Sequence, residues 1–250
     1  MTADRTVLSI TGADRHDFLQ GLVTNDIARL KDGMVYAALL TPQGKYLADF
    51  FLSEDGERIL LDVAAPLAPG LKQRLSMYKL RAKVGIEDTG LHVVRGLGDP
   101  PPGAHADPRH PALGWRAYAD TPAEETGIDW DALRVAHAIP ESGVELIPND
   151  SFILEVGFER LNGVDFRKGC YVGQEVTARM KHKTELQKGL ARVTVDGTAP
   201  PGTAIETEDG KPAGTLYTTA GGQGLAYLRF ARATGTMHAG DAHLHRIADA

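Results

Sequence analysis

The chain has 250 residues, of which 42% are hydrophobic, and its formal net charge is -6. This length allows one large domain or two smaller ones, and the apolar content is sufficient for a buried core. The negative charge argues against broad nucleic-acid binding, although a local basic strip is compatible with it. No apolar run approaches the roughly 20 residues that a membrane-spanning helix needs.

The start of the chain lacks a basic region followed by a hydrophobic one, which is the pattern of a secretory signal. Cys170 is the only cysteine, so an intramolecular disulfide is excluded and a reducing compartment is favoured. We therefore expect a cytoplasmic protein that has no membrane partner and no direct nucleic-acid partner.

The first 90 residues alternate short apolar runs with two amphipathic segments. The apolar runs predict strands at residues 7–10, 34–40, 46–52, 58–63 and 84–88. Asp14 is placed to cap a helix whose apolar face carries Phe18, Leu19, Leu22, Val23 and Ile27. A second helix is predicted behind Pro66 from the spacing of Leu67, Leu71, Leu75 and Tyr78. This order of elements indicates an antiparallel or mixed sheet with helices packed on it, which is the α+β class.

The texture changes between residues 99 and 111, where clustered prolines predict a loop. A strand at 115–118 and a helix at 129–138 follow. Beyond residue 188, short strands are predicted at 191–195, 203–207, 215–218 and 225–228, and this regular spacing is typical of a small β-barrel. We expect an α+β body over residues 1–188 and a C-terminal β-barrel over residues 189–250.

The most informative segment runs from Lys168 to Glu175 and contains Cys170. A thiol reacts and binds metal as the thiolate, and a nearby cation lowers its pKa, so Lys168 and Cys170 are candidates for a catalytic pair. A lone cysteine is also commonly a small buried residue. The surrounding glycines and polar side chains favour the functional interpretation, because glycine allows a backbone to approach a ligand closely.

The run Lys168-Gly169-Cys170-Tyr171-Val172-Gly173-Gln174-Glu175 matches every fixed position in the signature of the YgfZ family of folate-binding proteins. Residues 18–26, 44–49 and 78–84 resemble the N-terminal blocks of that family. The resemblance implies a fold related to the T-protein of the glycine cleavage system. It also implies that the chain binds tetrahydrofolate and acts in assembly or repair of iron–sulfur clusters in client enzymes, including enzymes that modify transfer RNA.

A folate needs an apolar slot, fixed hydrogen-bonding groups for its ring and basic residues for its carboxylates. Candidates for the slot are Tyr171, Tyr46 and Phe166. Candidates for the ring edge are Gln174 and Glu175. Candidates for the carboxylates are Arg167, Lys168, Arg179 and Lys181. Tyr46 and Phe166 are equally compatible with the core, and the last two cations with the solvated face of a helix.

Two other chemistries remain open at this stage. In the T-protein, the block that resembles residues 44–49 carries two consecutive acids, whereas this chain has Ala48 and Asp49. The alternative function, aminomethyl or other one-carbon transfer on tetrahydrofolate, therefore requires Asp49 to replace the missing acid. His238, His243 and His245 are compatible with a metal site, but no cysteine or acidic cluster completes it, so no metal site is predicted.

Overall fold

The computed structural model describes residues 4–122, 126–182 and 185–248, and strands dominate these ranges. The strands are β1 (Arg5–Thr11), β2 (Val35–Leu40), β3 (Tyr46–Asp55), β4 (Arg58–Ala64), β5 (Gly85–Asp88), β6 (His92–Gly96), β7 (His105–Ala106), β8 (Trp115–Ala119), β9 (Lys188–Asp196), β10 (Ala204–Thr207), β11 (Pro212–Ala220), β12 (Gln223–Arg229), β13 (Met237–Ala239) and β14 (Ala242–Arg246). The α-helices are α1 (Arg15–Gln20), α2 (Ala68–Tyr78), α3 (Trp130–Ala136) and α4 (Gln174–His182).

The first five strands form an antiparallel sheet in the order β2-β3-β4-β1-β5, which we call the main sheet. Alternate residues of a strand point to opposite faces, and β2 shows this clearly. One face packs on α1 and α2 through Val35, Ala37 and Leu39. The other packs on residues 139–171 through Tyr36, Ala38 and Leu40. The main sheet is therefore covered on both faces.

Two further sheets complete the fold. A small sheet in the order β6-β8-β7 lies after the main sheet in the chain. The last six strands close into a barrel in the order β10-β11-β12-β9-β14-β13, because β10 also pairs with β13. The predictions of an α+β class and of a C-terminal β-barrel are confirmed.

A buried polar network joins the barrel to the rest of the chain. The Arg134 guanidinium of α3 donates hydrogen bonds to the Glu145 carboxylate at 3.0 Å and to the Thr218 hydroxyl of β11 at 2.9 Å. Glu145 also accepts from the Thr218 hydroxyl at 2.6 Å. These charges are buried and mutually paired, so the network fixes the orientation of α3 against the barrel.

The predicted first helix is too long. Helix α1 ends at Gln20, and Val23 forms an isolated bridge with Leu39 of β2. Asp14 does not cap the helix with its side chain, because its carboxylate accepts from the backbone N–H of Lys83 at 2.7 Å. Tertiary contacts thus override the apolar periodicity.

The proline-rich stretch at 99–111 is mostly loop, but it contains the two-residue strand β7. Strand β6 was not predicted, because its residues are only partly buried and show no clear alternation. The division of the chain at residue 188 stays a prediction, and residues 1–3, 123–125, 183–184 and 249–250 of those two spans lie outside the described residues. No helix in the described ranges is both long enough and apolar enough to cross a bilayer.

Candidate functional site

Cys170 lies on the loop that leads into α4, and its side chain is exposed. The preceding Gly169 is also exposed, and a Cβ atom built on it would meet no atom within 4 Å. The thiol is therefore reachable from solvent, and the loop around it has room for an approaching molecule.

Lys168, two residues away, is buried and turned into the body. Its ammonium donates to three backbone carbonyls at the end of α1 and in the loop that follows. They are those of Gln20 at 2.7 Å, Val23, and Asn25 at 3.0 Å. Burial lowers the pKa of Lys168 to about 8, and Asp26 and Asp165 partly oppose that shift. All three protons of the ammonium are thus used to hold two loops together.

This geometry changes the interpretation of Lys168. The sequence hypothesis paired it with Cys170 as an activating cation. In the structure the ammonium acts as an anchor for the cysteine loop, because its hydrogen bonds connect that loop to residues far away in the chain. We therefore treat Lys168 as a positioning residue.

Two glycines fix the other end of the cysteine loop. Gly173 has a φ of +83°, and a Cβ on it would lie 2.6 Å from the carbonyl oxygen of Thr41. Gly44, in the turn between β2 and β3, has a φ of +75°, and its Cβ would lie 2.8 Å from that of Val176. Only glycine fits both positions, so the turn and the loop pack backbone against backbone.

The residues predicted to bind folate do not converge on one cleft. Glu175 and Arg179 pair with each other on the exposed side of α4 at 2.8 Å, and Arg167 is also exposed. Gln174 is partly buried at the start of that helix. Tyr171, by contrast, is buried in the core.

The other predicted slot residues also separate. Phe166 and Lys181 lie together, with the ammonium 5.5 Å from the ring centroid, and Lys181 also pairs with Glu159. Tyr46 is fully buried on β3, beside a carboxylate. The predicted set is therefore divided between the exposed surface, the core and a cluster of buried polar side chains.

Asp49 lies at the centre of a cluster of buried polar side chains, on the face of the main sheet that packs on residues 139–171. Its carboxylate accepts from the hydroxyls of Tyr36 at 2.9 Å, Tyr46 at 2.6 Å and Ser142 at 2.5 Å. Burial, followed by the charge of Asp49, raises the pKa of both tyrosines well above their ordinary value of 10.0. Both phenols therefore remain protonated donors to the carboxylate.

Ala48 points to the opposite face of β3. It lines a cavity of about 190 Å³ between the main sheet and α2, together with Leu39, Leu47 and Leu71. An acid at position 48 would face this cavity, whose lining also includes Arg74 and Asn149, whereas Asp49 faces a cluster of buried polar side chains. Asp49 is thus an acid in a hydrogen-bonding environment, and its replacement of the missing acid stays a prediction.

Three arginines extend this polar cluster between the main sheet and the small sheet. The guanidinium carbons of Arg116, Arg109 and Arg5 lie 3.8, 4.8 and 5.4 Å from the centre of the Phe51 ring. Asp62 pairs with Arg5 at 2.5 Å and with Arg116 at 3.3 Å. Asp107 holds Arg109 through two hydrogen bonds of 3.0 and 2.8 Å.

Arg116 is 1% exposed, yet its Nε and Nη1 atoms have no hydrogen-bond partner among the described residues. It lies directly opposite Arg95 across the small sheet, and like charges in this position repel. Burial and Arg116 lower the pKa of Arg95 to about 10. The Arg95 guanidinium stacks 4.4 Å from the centre of the Trp130 ring. Unsatisfied donors beside aromatic rings suit a flat ligand that carries hydrogen-bond acceptors.

The sequence did not predict most of the buried polar cluster, including Tyr36, Arg109, Arg116 and Ser142. The only available signal was the charged residue inside the strand Trp115–Ala119, because arginine is rarely buried without a specific partner. The described residues contain no group of three or more histidine, cysteine or acidic side chains placed to hold a metal ion. His238 and His243 form an edge-to-face pair, with centroids 4.8 Å apart.

Replacing Lys168 by methionine tests its role as an anchor. We expect the free energy of unfolding to fall by about 1–3 kcal/mol in chemical denaturation, because three carbonyls lose their donor. The matched control is Lys181→Met, which removes an exposed ammonium and should change stability by less than about 0.5 kcal/mol. Unchanged stability of Lys168→Met, with slower alkylation of Cys170, would favour the activating pair instead.

Comparison with known proteins agrees with this architecture. A family model described as the CAF17 C-terminal beta-barrel domain matches residues 187–248. The chain also resembles the crystal structure of glycine cleavage system aminomethyltransferase T from Bartonella henselae. The TM-score is 0.76 at 14% identity, over 98% of this chain and 83% of that one. At this identity the likeness shows the fold alone, and it confirms the expected T-protein-like architecture.

Curated relatives share more sequence. The chain is 33% identical over 242 residues to the mitochondrial iron–sulfur cluster assembly factor IBA57 homolog of Mycosarcoma maydis, covering 83% of this chain and 60% of that protein. It is 31% identical over 279 residues to mitochondrial IBA57 of Mus musculus, covering 94% and 78%. The human protein is 30% identical over 277 residues, with the same coverage. The chain thus spans less than two thirds of the fungal relative and about three quarters of the mammalian ones.

These relatives correct one expectation and refine another. All three are named as mitochondrial, so the expectation of a cytoplasmic protein is wrong. These relatives bear the name IBA57, and the T-protein-like fold that the resemblance implied is present. On the identity and coverage of the mouse and human proteins, the chain belongs to the IBA57 family.

Proposed function

We propose that this protein acts in the assembly of iron–sulfur clusters and that Cys170 is its reactive group. The observation that carries the proposal is the exposed thiol on a loop fixed by Lys168 and by two close-packed glycines. A cysteine with a purely structural role is usually buried, whereas this one is presented to solvent on a rigid support. The names of the mouse and human relatives support the same role.

A single thiolate limits what the protein does with a cluster. Iron–sulfur clusters are normally held by four cysteine ligands, and this chain has one. The cluster is therefore cargo, and its remaining ligands come from a partner protein or a small thiol. Assembly proteins and client enzymes, including enzymes that modify transfer RNA, are the partners that fit this scheme.

Replacing Cys170 by serine separates a thiol role from a packing role. The side chain is exposed, so we expect the melting temperature to stay within about 1 °C of wild type. Activity of iron–sulfur enzymes in cells that depend on this protein should be lost, because serine is a poor ligand for iron. Full complementation by Cys170→Ser at native expression level would reject the proposal.

We also propose that a reduced folate binds at the cluster of buried polar side chains around Asp49. The phenols of Tyr36 and Tyr46, the unsatisfied donors of Arg116 and the Trp130 ring supply the three kinds of group that a pterin needs. When bound, tetrahydrofolate carries a one-carbon unit or serves as a reductant. The contribution of this chain is to orient the ring, to exclude water and to keep a carboxylate near it.

Calorimetry with tetrahydrofolate locates this site. Arg116→Met removes two buried donors and should lower the affinity at least about tenfold, since hydrogen bonds from charged groups contribute about 1.5–3 kcal/mol. Arg179→Gln serves as the control, because this exposed side chain was predicted from sequence to bind folate, and we expect less than about a twofold change. The reverse pattern would move the site to the cysteine loop, and no heat with any reduced folate would reject binding altogether.

One observation favours a second function, one-carbon transfer on folate. Asp49 is a buried carboxylate that accepts from three hydroxyl donors, and a carboxylate oriented in this way is suited to stabilising a developing cation. A glycine-cleavage assay with the lipoyl partner protein tests it. If the function is present, Asp49→Asn should lower turnover by about 100-fold or more. Absence of turnover by the wild-type protein would exclude this function.

A further inference from the structure

The segment from residue 72 to residue 83 is strongly basic in an acidic protein. It contains Lys72, Arg74, Lys79, Arg81 and Lys83 and no acidic residue, while the whole chain carries a net charge of -6. In the described ranges these five cations take part in no ion pair within 4 Å. The Asp14 carboxylate accepts a hydrogen bond from the backbone N–H of Lys83. The proposed function uses none of these side chains.

Leu80 stands at the end of α2 in a conformation that suits glycine. Its φ is +44°, in the left-handed region, directly after the C-cap residue Lys79. Helices commonly end with glycine at this position, because a side chain there is strained. Leu80 is nevertheless 88% exposed, so its side chain contributes little to the core. Glycine would favour folding better than this leucine does, which points to a use for the side chain outside the fold.

Met77 lies one turn earlier on α2 and is 68% exposed. It and Leu80 are two of only four large hydrophobic side chains that are exposed in the described part of the chain. We call the segment 72–83, with its two apolar side chains and five cations, the basic tip. Its two exposed apolar residues lie at and just beyond the end of α2.

We propose that the basic tip binds the surface of an anionic lipid bilayer. Met77 and Leu80 enter the boundary between headgroups and acyl chains, and the surrounding cations contact lipid phosphates. A bilayer accepts protruding apolar side chains without a shaped pocket. Nucleic acids and acidic proteins also attract the cations, but they offer a leucine an apolar environment only where a specific pocket is present. The sequence analysis predicts no membrane partner because the chain has no apolar run long enough for a membrane span, and this proposal departs from that expectation, since surface binding requires no span. The inference is independent of the proposed function.

Co-sedimentation with vesicles tests this proposal on the full-length protein. The protein should partition at least about 100-fold more strongly onto phosphatidylcholine vesicles that contain about 30 mol% phosphatidylglycerol than onto phosphatidylcholine alone, and salt should weaken the binding. Leu80→Gly should reduce partition onto the anionic vesicles about fivefold while the melting temperature stays equal or rises. The combined change of Lys79, Arg81 and Lys83 to glutamine should reduce it about 100-fold.

Two controls make the result specific. Leu97→Asn removes an exposed leucine elsewhere, and Lys211→Gln removes an exposed barrel cation, so neither should alter partition. The proposal is wrong if the wild-type protein does not bind anionic vesicles, or if Leu80→Gly binds them as well as wild type does. Equal binding to soluble polyglutamate or to transfer RNA, insensitive to Leu80, would assign the tip to an acidic macromolecule and overturn the lipid proposal.

Discussion

Charges buried inside the protein require partners, and this constraint shapes the centre of the molecule. The face of the main sheet that packs on residues 139–171 carries Asp49 and Asp62, and the small sheet brings Arg116 against it. A purely apolar interface between the two sheets would be simpler to build. The protein instead retains charges at a desolvation cost, and Arg116 is left with two unsatisfied donors. A buried donor without a partner is uncommon in proteins, and this one is an observation behind the proposed folate site.

The cysteine loop follows a different physical logic. Its reactive group is at the surface, and the rigidity comes from groups that contact neither solvent nor cargo. Lys168 reaches the carbonyls of Gln20, Val23 and Asn25, more than 140 residues away in the chain. An ammonium surrounded by carbonyls is well suited to this purpose, because its three protons satisfy three acceptors at once. The buried polar cluster around Asp49 and the cysteine loop are thus held in place by separate sets of contacts.

Sequence reasoning succeeded where the pattern was local. The apolar run of β2 and the turn spacing of the barrel each lie within a few residues. It failed where partners are distant in the chain. Asp14 has the composition of a helix cap, but Lys83 binds its carboxylate. The buried polar cluster contains Arg5, Asp49, Arg116 and Ser142, and nothing in the spacing of these residues indicates that they lie together. Lys168 was recognised as important, but its partners are main-chain oxygens, which no sequence motif reveals.

The contact between Gly44 and Gly173 has a consequence for how this region tolerates variation. Because the two backbones touch without intervening side chains, neither segment can shift, lengthen or gain a side chain independently of the other. An insertion in the turn between β2 and β3 would displace the cysteine loop, although the turn contains no reactive group. The position of the thiol is therefore constrained by a hairpin more than 120 residues earlier in the chain.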